Sequence, residues 1–177
     1  MLQTLSPTDH TLLPEVDAAT FRRAMRNPAC AVAVVAASGP LGRSGITATA
    51  VCSLADSPPS VLACVHRSSR FHAVISAAEA FSINYLDADQ MALAEVFAGR
   101  TGASGDDRFD ENLWSSSGIG APVLIDGFAS FACRLDRIID HATHSLFIGH
   151  VVEVFSVEDR QSLVYNRGTF SLPQPIA

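Results

Sequence analysis

Two short segments contain the residues whose types and spacing could bind a cofactor. Residues 67–70 place two serines between two arginines, immediately before a helical pattern. A hydroxyl-capped helix start favours an anion, because its free N–H groups and the helix dipole attract negative charge. Residues 45–51 are small and rich in hydroxyl groups, so a flat ring could approach their backbone closely. Together the two segments indicate a pocket for a flat, phosphorylated cofactor.

Both segments also have structural interpretations that the sequence leaves open. Residues 45–50 are equally typical of a strand packed against another backbone, and residues 67–70 of an ordinary helix cap with solvated arginines. Their predicted arrangement favours the pocket. The pattern over residues 43–72 predicts a strand, a turn at Pro58-Pro59, a second strand and a helix start. The two segments would then lie side by side across one hairpin.

Common catalytic signatures are absent from the sequence. It has no G-x-G-x-x-G segment after a strand, no Walker A loop and no G-x-S-x-G elbow, which argues against a Rossmann nucleotide fold and an α/β-hydrolase. His141 and His144 are three residues apart, and His150 lies on the following strand. A metal site would need a fourth group, so we interpret these histidines as hairpin-end or substrate-facing and predict no metal.

Composition and cysteine usage indicate a cytoplasmic protein with a single domain. Hydrophobic residues make up 48% of the 177 residues, no apolar run is long enough to span a bilayer, and a secretion signal is lacking. The net charge is −6 and every basic residue is arginine, which argues against nucleic acid as a partner. The four cysteines form no C-x-x-C pair, so we interpret them as free buried thiols, with a reactive thiol or a disulfide as alternatives.

The predicted elements are short helices and longer strands, after an N-terminal extension over residues 1–17. Helices are predicted over residues 18–26, 69–77 and after a cap at Asp87 or Asp89. Strands are predicted over 30–37, 80–86, 128–139, 145–155 and 163–165, with a Gly-rich loop over 99–110 near the site and a connection over 140–144. Six or seven strands with helical inserts favour a closed antiparallel barrel over residues 18–177.

An ordered set of short motifs resembles the flavin reductase domain family, the small components of two-component flavin-dependent monooxygenases. Residues 45–50 (GITATA) are similar to the family's G-x-T-A-N-S segment. The set covers roughly residues 18–170, and it is specific as a set rather than motif by motif. Its other members are residues 21–25, 57–62, 67–70 with His72, 81–86, 97–99, 107–109, 120–124, 144–151 and 165–168.

The resemblance implies a mainly β protein with short helices, an FMN-binding split β-barrel that usually forms a homodimer. It implies binding of FMN or FAD, reduction of that flavin by NADH or NADPH, and delivery of reduced flavin to a partner monooxygenase. Two other functions stay open. One is a flavin-binding module with little turnover, and the other is a flavoenzyme with tightly held FMN that acts on a non-flavin substrate.

The resemblance also implies a set of site residues. The edge of the isoalloxazine ring would be lined by Thr47, Ala48, Thr49, Ala50 and Val51, and Val65, on the second arm of the predicted hairpin, would also contact the flavin. Arg67, Ser68, Ser69 and Arg70 would hold the phosphate, Asn84 and Arg100 the flavin tail, and His144 the nicotinamide. Three positions depart from the family pattern: Thr49 replaces the usual Asn, Thr143 the usual Asp, and Ala142 the usual Gly.

Overall fold

Antiparallel strands form most of the protein, for which the computed structural model describes residues 14–175. In chain order the strands are β1 (Cys30–Ala31), β2 (Ala33–Gly39), β3 (Gly42–Ala48), β4 (Val51–Asp56), β5 (Pro59–His66), β6 (Ala80–Tyr85), β7 (Trp114–Ser116), β8 (Pro122–Leu124), β9 (Ala129–His141), β10 (His144–Ser156), β11 (Val164–Asn166) and β12 (Thr169–Ser171). One seven-stranded sheet has the order β3-β2-β6-β9-β10-β5-β4, and two small sheets have the orders β1-β11-β12 and β7-β8.

Three α-helices interrupt the strands, as predicted: α1 (Ala18–Met25), α2 (Arg70–Ala77) and α3 (Met91–Phe97). Asp17 caps α1 by accepting from the backbone N–H groups of Ala19 and Thr20, each at 2.9 Å. Short 3₁₀ helices cover Ala88–Gln90, capped by Asp87, and Gly105–Arg108. Within the described part of the chain, no helix is long and apolar enough to cross a membrane. The predicted N-terminal lead-in lies outside the described residues up to position 13.

Helix α2 fills the space between the two ends of the large sheet. It contacts β2 and β3 at one end of the strand order and β5 near the other end, so the sheet curls around it. Its side chains Phe71, Val74 and Ile75 are buried. They join Phe81 and Phe147 in the inner core, where apolar burial supplies the main stabilisation. This arrangement agrees with the predicted antiparallel barrel.

Strand β2 separates the inner core from an outer one. Val35 packs in the inner cluster, whereas Val34 packs outside with Phe97, Phe109 and Trp114. The whole run from Val32 to Ala37 is fully buried, which explains its lack of polar alternation. The strand predicted over residues 30–37 is confirmed, with a break at Val32 between β1 and β2.

Two predicted connections are wrong. The segment before the Pro58-Pro59 turn is two strands, because the chain leaves β3 after Ala48 and begins β4 at Val51. Strand β5 therefore pairs with β4 and β10, and β3 pairs with β2 at the opposite end of the sheet order. The predicted connection over 140–144 is also shorter, since His141 pairs with His144 across a two-residue turn. Both long strands gain residues from it.

The cysteine prediction holds for one thiol and fails for another. Cys133 is fully buried, and burial raises the pKa of its thiol to about 12. Cys52 is exposed, because β4 is an edge strand whose residues are mostly uncovered in the monomer. Cys30 and Cys64 lie between these extremes. All four thiols are free, so none of them is in a disulfide.

Gly149 lets β10 approach the inner core closely. A Cβ atom at this position would lie 2.5 Å from the Phe81 ring and 2.9 Å from Cβ of Cys133. We expect Gly149→Ala to lower the free energy of unfolding by about 1–3 kcal/mol, because an overpacked core must shift to relieve the contact. Chemical denaturation measures the change. His150→Ala is the control, since the His150 side chain is exposed and its loss should change stability by less than about 0.5 kcal/mol. Equal stability of Gly149→Ala and the wild type would contradict the close packing of β10.

Candidate functional site

Strand β3 is bordered by two cavities that contain many of the predicted cofactor residues. The first cavity, of about 220 Å³, lies at the end of β3. Its wall is formed by small residues of β3, an arginine after α3 and two aromatic rings of the β11–β12 hairpin, namely Val32, Thr47, Ala48, Thr49, Ala98, Arg100, Tyr165 and Phe170. The arrangement has the small-residue wall that a flat ring requires, with aromatic rings completing it.

The first cavity is held in shape by hydrogen bonds to α3. The Thr47 hydroxyl donates to the Ala94 carbonyl at 2.6 Å, so this side chain links β3 to the helix. Thr49 and the backbone of residues 47–49 then remain for a ligand. The Arg100 guanidinium donates to the Glu95 carboxylate at 2.7 Å, and the Tyr165 hydroxyl together with Glu95 raises the pKa of Arg100. The rim of the cavity therefore carries an always-protonated guanidinium that is paired with a carboxylate of α3.

The second cavity, of about 190 Å³, lies beside the middle of β3 and the start of α2. Its wall contains two arginines and three serines, in the set Ser44, Gly45, Ile46, Ser69, Arg70, Phe71, Ser104, Gly105 and Arg108. Ser69 caps α2 by accepting from the N–H of His72 at 3.1 Å. Guanidinium groups, hydroxyls and a helix start together favour an anion such as a phosphate. Among the described residues that line either cavity, none carries a carboxylate.

The predicted phosphate-binding group is divided by the structure. Ser69 and Arg70 line the second cavity, but Arg67 and Ser68 do not. Arg67 lies 3.5 Å from Oδ2 of Asp140, and the Ser68 hydroxyl lies 2.9 Å from Nδ1 of His66. These two side chains thus belong to the loop that faces the β9–β10 turn. Their role in phosphate binding stays a prediction.

Four other predicted residues are not on either cavity. Asn84 and Val65 have no exposed surface, and the Asn84 amide donates to the Val34 carbonyl and accepts from the N–H of Leu124, each at 3.2 Å. The Asn84 amide thus links neighbouring strands of the sheet, and the contact of Asn84 and Val65 with a flavin stays a prediction. Ala50 lies between β3 and β4, Val51 begins β4, and neither lines a cavity, so their contact with a ring also stays a prediction.

His144 lies at the start of β10, exposed beside a second histidine. Its ring meets the ring of His66 edge to face at 4.8 Å, and its Nδ1 lies 2.9 Å from the Thr143 hydroxyl. Ala142, two residues earlier, has φ +47°, a left-handed conformation that favours glycine. This conformation explains why the family pattern has Gly at this position. It also shows that the chain keeps the turn despite the substitution.

Two cavity features were missed by the sequence analysis. Arg108 and Ser104 line the second cavity, and Tyr165 and Phe170 line the first. The Gly-rich loop over 99–110, which was predicted to lie near the site, supplies Arg100 to the first cavity and Arg108 to the second. Residues 107–109 are one of the family motifs, but no role was predicted for Arg108. Arg43 holds this loop by an ion pair of 3.1 Å with Asp106. The histidines give no metal site: within the described residues no group of three His, Cys, Asp or Glu side chains could hold an ion.

The linings of the two cavities match the two chemical parts of a phosphorylated flavin. Small-molecule sites usually measure about 300–1,000 Å³, and each cavity is smaller than that. A flavin would have to span both, with its flat ring against Thr47–Thr49 and its phosphate at Arg70 and Arg108. The chemistry of the lining supports this orientation, because the arginine pair and the serines lie in one cavity and the aromatic rings in the other.

Comparison with known proteins agrees with this fit. A family model described as flavin reductase like domain matches residues 25–172. The chain is 37% identical over 160 residues to the FMN reductase (NADH) RutF of Klebsiella pneumoniae, covering 90% of this chain and 96% of that protein. It is 36% identical over 152 residues to a protein of the same name from Ancylobacter novellus, covering 86% of this chain and 83% of that protein.

Solved structures give the same result for the fold. The NADH:FAD oxidoreductase SgcE6 of Streptomyces globisporus superposes with a TM-score of 0.82 at 27% identity, covering 93% of this chain and 99% of that one. BorF, the flavin reductase component of a bacterial two-component tryptophan halogenase, superposes with a TM-score of 0.81 at 29% identity, covering 88% and 98%. The predicted split β-barrel is confirmed by these neighbours. Since the family model matches most of its length, the chain belongs to the flavin reductase family.

Proposed function

We propose that the protein is an NADH-dependent flavin reductase that uses FMN and releases it reduced. The observation that carries this proposal is the pair of cavities along β3, one walled by small and aromatic residues and the other by Arg70, Arg108 and three serines. A flavin nucleotide has the same two parts, because its flat ring suits the first cavity and its phosphate suits the second. The cavity walls lack carboxylates, which suits a reaction in which the protein positions two nucleotides and needs no acid or base.

The choice of FMN and NADH over FAD and NADPH rests on the relatives. The sequence analysis left both choices open. The curated relatives from Klebsiella and Ancylobacter are named FMN reductase (NADH), whereas the structural neighbour SgcE6 is an NADH:FAD oxidoreductase. The relatives with the higher identity support FMN, and both groups support NADH.

Each part of the site has a defined task in this reaction. Bound FMN supplies N5 as the acceptor of the hydride from C4 of the nicotinamide. Arg70 and Arg108 would neutralise the phosphate, and Arg100, paired with Glu95, would offer guanidinium N–H donors at the rim of the ring cavity. Backbone N–H groups of residues 47–51 would stabilise the negative charge of the reduced ring. His144, exposed at the start of β10, would contact the nicotinamide.

Two alternatives are distinguished from this proposal by turnover and by retention of flavin. A flavin-binding module would bind FMN without oxidising NADH, and the substitutions at Ala142 and Thr143 beside His144 are the feature that favours it. A flavoenzyme acting on a non-flavin substrate would keep FMN through gel filtration. The open first cavity, with its exposed Arg100 at the rim, supports exchange of free flavin over permanent retention.

The proposal includes delivery of reduced flavin to a monooxygenase or related partner in the cytoplasm. BorF is the reductase component of a two-component halogenase, which supports a division of labour between a reductase and a second enzyme. The four free cysteines fit a reducing compartment.

We also propose a homodimer, because large apolar side chains are exposed on three strands of one part of the sheet. They lie on β4, β9 and β10 and comprise Leu54, Ile138, Ile139, Val152, Val154 and Phe155. Strands β9, β10, β5 and β4 follow one another in the sheet order, so the residues lie along one side of the sheet. Val152, Val154 and Phe155 cluster at the end of β10, whereas Ile138 and Ile139 lie beside Leu146 and Phe147 near the β9–β10 turn. Exposed apolar residues along neighbouring strands are typical of a protein–protein interface.

The first prediction tests the activity. With purified protein, NADH oxidation should be slow without flavin and should rise to saturation as FMN is added, with a lower KM for FMN than for FAD. Absorbance of NADH measures the rate, and NADPH in place of NADH tests the donor. FMN binding without turnover would contradict the reductase and favour the binding module. Neither binding nor turnover would overturn the flavin proposal altogether.

The second prediction tests the homodimer. Val154 is 58% exposed in the monomer, so Val154→Asp would place a charge in the proposed interface. Sedimentation should give twice the chain mass for the wild type and a shift toward the single chain for Val154→Asp. Val16→Asp is the control, because Val16 is 69% exposed on the segment before α1 and lies outside this region. A monomeric wild type, or an equal dimer in the Val154 variant, would contradict the proposed interface.

A further inference from the structure

A buried serine joins a histidine of α2 to a carboxylate of β9. The Ser145 hydroxyl donates to Oδ1 of Asp140 at 2.6 Å, and its oxygen lies 2.8 Å from Nε2 of His72. Ser145 is fully buried and directly follows His144 on β10. His72 lies in the first turn of α2, and Asp140 is the register partner of Ser145 across the β9–β10 ladder. We call this chain the His72–Ser145–Asp140 network.

The direction of the hydrogen bonds follows from the chemistry of the three groups. The Ser145 hydroxyl, followed by the charges of Arg67 and His72, lowers the pKa of Asp140, so this carboxylate is ionised and only accepts. The single Ser145 proton therefore points to Asp140. The Ser145 oxygen must then accept from Nε2–H of His72, so Nε2 of this imidazole carries a proton. In this order the histidine donates rather than accepts, so the three residues are not a hydrolytic triad.

The network is one of several links between the same two segments. The N–H of Arg67 donates to the Thr143 carbonyl at 2.9 Å, and the Arg67 guanidinium lies 3.5 Å from Asp140. The rings of His66 and His144 are in edge-to-face contact. All these links join the loop before α2, which leads to the phosphate-binding cavity, to the turn that carries His144. Within this set, only the network is anchored by a fully buried hydroxyl.

We propose that His72 and Asp140 are positioning residues that act through Ser145 to hold His144 at the nicotinamide, an inference that rests on the proposed reductase function. His144 is exposed, and among the described residues its ring contacts His66 edge to face and its Nδ1 lies 2.9 Å from the Thr143 hydroxyl. Its backbone is paired with His66 and His141 in the sheet, and the network adds a second restraint by fixing the side chain of the next residue, Ser145, on both sides. Loss of the network would leave the His144 side chain unchanged but would loosen the start of β10 that carries it.

The kinetic experiment separates positioning from a structural role. His72→Ala removes the donor to Ser145 and should raise KM for NADH by about 3- to 10-fold, the effect of one net hydrogen bond, while kcat and the Kd for FMN change by less than about twofold. His72→Gln retains an N–H donor and should restore KM. Asp136→Asn is the control, because Asp136 is an exposed carboxylate on β9 outside the network. His144→Ala gives the upper bound of the effect on KM.

A second readout does not depend on turnover. Nitrogen-15 NMR of the histidine rings should show the Nε2–H tautomer for His72 in the wild type. In His72→Ala the ring signals of His144 should shift or broaden, and in His72→Gln they should return. Ser145→Ala should shift the same His144 signals, and if this variant does not fold, the His72 variants decide alone.

The possible outcomes separate a positioning role of the network from a purely structural one. A rise in KM for NADH that His72→Gln reverses supports the proposal. An unchanged KM together with unchanged His144 signals overturns it, and so does an equal loss of FMN affinity, kcat and stability, which would mean that the network only holds the fold. If the wild type has no NADH oxidation with FMN, the proposed function fails, and the NMR measurement still decides whether the network positions His144.

Discussion

The site depends on the fact that β3 is an edge strand. It pairs only with β2 in the large sheet, so its other edge has backbone N–H and C=O groups without a strand partner. Helix α2 packs against β3 from the inner core, α3 packs against it from the outer core, and the 3₁₀ helix over Gly105–Arg108 also contacts it. Because a helix cannot continue the strand ladder, these elements leave two cavities bordered by β3. The end of the sheet thereby provides a place for a ligand.

Small side chains on β3 allow helix α3 to pack close to the strand. A Cβ atom at Gly45 would lie 2.9 Å from the Phe97 ring of α3, so a larger residue would push the helix away. Thr47, two residues on, ties the strand to the same helix through the Ala94 carbonyl. The G-x-T part of the segment thus fixes the distance between strand and helix. The following residues, Ala48 and Thr49, then line the cavity.

Local features of the fold could be predicted from the sequence, and pairings distant along the chain could not. The helix starts near residues 18 and 69 and the strand over residues 30–37 depend on near neighbours, and each was predicted. The partner of β5 depends on where the chain goes after Ala48, which no local pattern records. Likewise Arg108 and Arg70 line one cavity although they are 38 positions apart, so neither composition nor a local motif could select Arg108 among twelve arginines. The burial of Asn84 within the sheet also depends on distant partners, Val34 and Leu124.

The central claim is that a flavin spans both cavities with its phosphate at Arg70 and Arg108. The most direct test compares the Kd of FMN with that of riboflavin, which lacks the phosphate, in the wild type, Arg70→Ala and Arg108→Ala. The account predicts that each variant weakens FMN by about tenfold, the size of a charge-assisted hydrogen bond, and changes riboflavin by less than about twofold. Arg22→Ala, an exposed arginine on α1, should leave both ligands unchanged. Equal weakening of FMN and riboflavin, or no weakening of either, would contradict the assignment of the second cavity to the phosphate.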